Sequence, residues 1–111
     1  MNRAEALKQI VTFGADKETA YSELVKFGYD SGIEYFVVSK SILENVLAKY
    51  LADEITADDL EEWANFVECR DDLDHEVIEG YIYALATPYL FDDIDIDKEK
   101  IMKMVQLLKT T

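Results

Sequence analysis

Apolar residues in this chain recur at helical spacing, in short stripes separated by turn residues. Leu43, Val46, Leu47, Tyr50 and Leu51 form the cleanest stripe, an i, i+3, i+4, i+7, i+8 pattern that puts every member on one helix face. Ser39 or Ser41 stands ahead of it as N-cap. Leu7, Ile10, Val11 and Gly14 share a face of an earlier helix, with Gly14 as its stop. Asp16 caps a second helix carrying Tyr21, Leu24, Val25 and Gly28. Thr56-Ala57-Asp58-Asp59 reads as a capping box with Asp in place of Glu. It opens a fourth helix with Leu60, Trp63, Ala64 and Val67 inward. Ile78, Tyr81, Ile82 and Leu85 make a fifth, closed by Thr87-Pro88, and Asp97 caps a sixth along Ile101, Met104, Val105 and Leu108. Six helices with short links predict an all-α fold, a compact bundle or short helical array. A length of 111 residues suits one domain, and 50% apolar content suits one core, so residues 1–111 are read as a single helical domain.

Two segments depart from this period. Ile33 to Val38 is β-branched and aromatic, and Leu90 to Ile96 alternates isoleucine with aspartate. Both are read as connections, because two pieces this short make only a marginal sheet.

Charge is the second constraint. The chain has 24 acidic and 11 basic residues, a net charge of −13. That balance opposes direct binding to nucleic-acid phosphates, which needs a Lys/Arg surplus, and opposes an anionic membrane surface. The imbalance is local. Residues 50–97 hold sixteen acidic side chains and one basic one, Arg70, while the remaining 63 residues are close to neutral. Like charges at this density repel and destabilise a fold, and no lysine is available there for i,i+4 pairing. The acid is interleaved with Trp63, Phe66, Tyr81, Tyr83, Tyr89 and Phe91. Phe66 and Tyr83 fall off the inward stripes and suit interface anchors.

Catalytic and metal chemistry finds no constellation in the sequence. Asp93-Ile94-Asp95-Ile96-Asp97 starts like a calcium loop, but the positions for its glycine and its bidentate glutamate hold Lys98 and Met104. His75 is the only histidine and is read as a solvated residue near a helix start; with Glu79 it supplies two ligands, too few for zinc. Cys69 beside Arg70 is read as a buried or semi-buried thiol at a helix end; the only His stands six residues away, and a Cys–His pair needs spatial contact that spacing does not establish. The glycines are scattered and form no phosphate loop. No enzyme activity, cofactor or metal is therefore expected. The N-terminus, Met1 to Lys8, is polar and lacks the apolar stretch of a signal peptide, and one cysteine forms no internal disulfide, so the expected location is the cytoplasm.

Ile55-Thr56-Ala57-Asp58-Asp59-Leu60-Glu61-Glu62-Trp63-Ala64-Asn65, with Arg70-Asp71-Asp72-Leu73-Asp74 and more loosely Ala84-Leu85-Ala86-Thr87-Pro88, resembles a pattern in small acidic bacterial immunity proteins. These belong to toxin–immunity systems of the contact-dependent growth inhibition and colicin-like kinds. The match covers about a third of the chain, residues 55 to 88. The resemblance implies a protein that binds and neutralises a cognate toxin, often a nuclease; no functional residue set carries over with it. Charge points the same way independently, since a nuclease cleft must attract phosphate and is basic.

The expected partner surface therefore comprises Asp58, Asp59, Glu61, Glu62, Phe66, Glu68, Asp71, Asp72, Asp74, Glu76, Tyr83, Tyr89, Asp92 and Asp93. The expected partner is a basic toxin domain. Two alternatives share these features: a helical adaptor or regulatory protein, in which the aromatics matter more than the charge, and a nucleic-acid mimic that inhibits a DNA-binding protein. A homodimer through the excess aromatics is also compatible with the sequence.

Overall fold

The first helix, α1 (Arg3–Val11), begins at Asn2. The Asn2 side chain caps the helix by accepting from the Glu5 N–H at 2.8 Å, and its amide donates to the Glu5 carboxylate at 3.1 Å. The computed structural model describes residues 2–27, 36–70, 72–86 and 96–110. α1 ends in a Schellman turn: Phe13 N–H donates to the Ile10 carbonyl and Gly14 N–H to the Gln9 carbonyl. The left-handed residue there is Phe13, at φ 52°, one position before the glycine expected to stop the helix. Gly14 serves the turn differently. A Cβ at that position would collide with the Gln9 side chain, whose Oε1 accepts from the Asp16 N–H.

Asp16 does not cap as expected: its carboxylate makes no capping bond to α2 (Lys17–Leu24). α2 buries only Ala20 and Leu24, and a single 3₁₀ turn, Val25–Phe27, follows it. The stripe predicted through Tyr21 and Val25 is thus corrected. The helix stops at Leu24, which leaves Val25 outside, 82% exposed, and puts Tyr21 on the helix edge.

α3 (Lys40–Leu51) starts at Ser39, whose Oγ accepts from the Ile42 N–H at 3.3 Å. It buries Leu43, Val46, Leu47 and Tyr50, with Leu51 half-buried. A second Schellman turn ends it, with Asp53 at φ 64° and Glu54 N–H donating to the Lys49 carbonyl. α4 (Ala57–Cys69) carries the predicted capping box: Asp59 N–H donates to Thr56 Oγ1 at 3.1 Å, and Thr56 N–H to the Asp59 carboxylate at 2.9 Å. Its inward face is Leu60, Trp63, Ala64 and Val67, as the spacing predicts. A 3₁₀ turn, Glu76–Ile78, runs into α5 (Glu79–Ala86), which buries Ile82 and Leu85. α6 (Lys98–Thr110) is capped by Asp97, whose Oδ1 accepts from the Lys100 N–H at 2.8 Å.

Among the described residues the fold is all-α: six α-helices, with one short parallel pairing between β1 (Phe36–Val37) and β2 (Leu73–Asp74). Phe36 stands opposite Leu73, and Val38 N–H extends the ladder to the Asp74 carbonyl at 2.8 Å. The end of the predicted Ile33–Val38 connection is therefore a strand. Its partner is not the Leu90–Ile96 segment, of which only Ile96 lies within the described residues. The Thr87-Pro88 stop and Gly28 also lie outside them.

The helices associate chiefly in pairs, α1 with α2, α4 with α5 and α3 with α6. One apolar cluster reaching from Ala6 to Leu108 joins them. Two buried polar links cross it. Trp63 Nε1 donates to the Val11 carbonyl at 2.9 Å, satisfying an end group of α1 from α4. Arg70 grips Asp72 with two bonds, Nε to Oδ1 at 2.8 Å and Nη2 to Oδ2 at 2.7 Å, and Arg3 Nε from α1 lies 3.5 Å from the same carboxylate. All three residues are buried.

Candidate functional site

The capping box and inward stripe fix where the other α4 side chains point. Two flanks remain at helical spacing. Asp58, Glu61, Asn65 and Glu68 form one; Asp59, Glu62, Phe66 and Cys69 form the other. α2 comes alongside the second flank, where Tyr21 meets Phe66 edge to face, ring centres 5.8 Å apart. Lys17 sits over the Phe13 ring at 4.4 Å and 5.8 Å from the Tyr21 ring.

The predicted acidic positions divide by whether they have a local task. Asp59 completes the capping box. The hydrogen bond from the Thr56 backbone, that residue's hydroxyl and nearby Lys17 hold its carboxyl below the usual range, against a smaller opposing effect of burial. Asp58 lies in the same first turn, where the helix N-terminus favours negative charge. Asp74 accepts from the Glu76 N–H at 3.1 Å, while Glu76 and Glu79 begin their own turns. Asp72 is corrected outright. It is fully buried, committed to Arg70 and Arg3, and belongs to no exposed surface. Asp71, Tyr89, Asp92 and Asp93 lie outside the described residues.

Glu61, Glu62 and Glu68 have no such task. None makes an ion pair among the described residues. Glu68 is exposed in the last turn of α4, which contains no basic residue; a carboxylate there opposes the helix dipole. Arg70, the one basic residue of the 50–97 stretch, is turned inward onto Asp72 and lies over the Phe66 ring at 5.5 Å. Its charge is spent inside.

Beside this face, between α2 and α4, runs an apolar groove of about 630 Å³. Tyr21, Leu24, Val25 and Phe66 make its apolar surface, with Glu62, Asn65, Cys69 and Arg70 along it. Partial burial raises the Tyr21 hydroxyl above its usual range, and the Glu62 and Glu18 carboxylates add to the rise. Both acids therefore act on the groove. The sequence missed Tyr21 and Val25, which it turned inward; the small Ala20, four residues before Leu24, was the available signal. Cys69 does end a helix as expected but is exposed rather than buried. Phe66 is half-buried on the groove, and Tyr83 is exposed on α5 away from it.

Metal-binding options stay thin. Among the described residues, no three His, Cys, Asp or Glu side chains cluster to hold an ion. His75 precedes the 3₁₀ turn, but it is not fully solvated: its Nδ1 is buried, with no hydrogen-bond partner among the described residues. No described helix is long and apolar enough to cross a membrane. Comparisons with protein families, with curated proteins and with solved structures found no match for this chain.

Proposed function

We propose that this chain is an immunity-type inhibitor that binds a basic bacterial toxin domain, most simply a nuclease, and neutralises it in the cytoplasm. The carrying observation is the set of α4 carboxylates, Glu61, Glu62 and Glu68, that form no ion pair among the described residues. The single Arg of the acidic stretch is buried on Asp72 and does not answer them. A basic partner relieves that repulsion and is steered in by it, so inhibition needs charge and shape but no catalytic group.

The test is co-expression with the C-terminal domain of the protein encoded immediately upstream, followed by purification of a one-to-one complex. Protection of growth is the expected result. Glu61→Lys, Glu62→Lys and Glu68→Lys together should weaken binding about tenfold or more, mainly through the association rate, and flatten its salt dependence. Unchanged affinity and salt dependence would remove the α4 face from the reading. Asp59 is left intact in this variant so that the helix cap is preserved.

A further inference from the structure

We infer that the α2–α4 groove receives a bulky apolar anchor of a basic partner, with a Lys or Arg of that partner beside the anchor meeting Glu62. This rests on the binding reading above and specifies how the partner is held.

The apolar surface is unusual in its exposure. Val25 is 82% and Tyr21 39% exposed, and both border the same groove as Phe66 and Leu24. Single exposed apolar residues are ordinary, but a contiguous patch around a cleft of about 630 Å³ has room for a large side chain. Charge selects the occupant. Arg70 lines the groove but is bound to Asp72, Lys26 after α2 is paired with Glu23, and Lys17 sits against Phe13. Glu62 lies on the groove, Glu18 acts on Tyr21, and neither has an ion-pair partner among the described residues. An acidic or neutral occupant leaves both unanswered; a basic one answers them.

The two parts of the contact should separate kinetically. Acid acts at long range and governs association, whereas a seated anchor governs dissociation. Binding of a short amphipathic peptide, with Trp and Leu at helical spacing and Lys elsewhere, is followed by amide shifts of the isotope-labelled chain. A copy of the peptide with Glu for every Lys is the control. The Lys peptide is expected to shift the amides of Tyr21, Val25, Glu62 and Phe66, and the Glu peptide to leave them in place. Val25→Asp, at a site exposed enough to keep the fold, should weaken the Lys peptide about tenfold or more. Alkylating Cys69, the only cysteine, with a bulky maleimide should do the same.

Equal binding of both peptides, shifts mapping elsewhere, or undiminished binding by both variants would overturn the inference. So would concentration-dependent self-association through the groove, or nuclear Overhauser contacts placing residues 28–35 of the chain in it. The titration needs no toxin, so its outcome is independent of the neutralisation test. Toxin neutralisation that survives Val25→Asp with an unchanged dissociation rate would retain the function and reject this groove.

Discussion

Asp59 illustrates how one carboxylate can be structural while its neighbours are not. Its carboxyl is held below the usual range by the Thr56 hydrogen bonds, so near pH 4 the unfolded chain binds more protons than the folded one. Its contribution is present above the unfolded carboxyl range and is lost as pH falls through the lower folded value. Asp59→Asn should therefore lower stability by about 0.5–1 kcal/mol at neutral pH, a typical cap loss. The gap from wild type should close as the medium is acidified below pH 4, as measured by urea unfolding across pH. At Asp72 the stakes are larger. Asp72→Ala leaves Arg70 and Arg3 buried around a lost counter-charge and should cost about 3–5 kcal/mol by the same assay. In the sequence Asp72 is one of several acids beside Arg70, with nothing to single it out as the buried one. Its burial depends on Arg3, from the other end of the chain, and on the turn after α4, and local spacing encodes neither.

At the scale of elements, α4 is the organising piece, because its inward Trp63 also closes the end of α1. Trp63→Phe keeps most of the apolar volume but strands the Val11 carbonyl without its donor. A loss of about 1–3 kcal/mol in chemical denaturation is expected. A smaller loss would mean that another donor reaches that carbonyl. The stripes of α3, α4 and α6 were legible because a run of 12 or 13 residues repeats its apolar face three times or more. α2, with eight residues, shows barely two turns, too few to tell the edge position of Tyr21 from the inward face, and Val25 could be placed inward only by continuing the pattern past the helix end. Both Schellman turns put non-glycine residues, Phe13 and Asp53, in the left-handed position, so the usual glycine signal was absent or displaced by one. β1 and β2 were illegible for a different reason. Two residues each carry no period, and their parallel pairing spans the whole of α3 and α4.

For the whole molecule, the question is whether the acid between residues 50 and 97 serves the fold or a partner. Much of the groove was also hidden at this scale, since it exists only where α2 happens to lie along α4. The charge asymmetry was legible, but not its division into acids with a local task and acids without one. That division makes the two accounts separable. If Glu68 serves only solubility or folding, replacing it should cost stability or change nothing. Its position predicts the opposite. A carboxylate in the last turn of α4, within a strongly acidic molecule, opposes both the helix dipole and the overall charge. Glu68→Lys should therefore stabilise the free chain by about 0.3–1 kcal/mol, an amount seen in low-salt thermal and urea unfolding. The gain should shrink as added salt screens the field. The same variant should bind a basic partner more weakly. A residue whose replacement stabilises the fold and impairs binding is retained for binding. A Glu68→Lys chain that is less stable, or equally stable and equally tight, would return this acid to the role of a solvated surface.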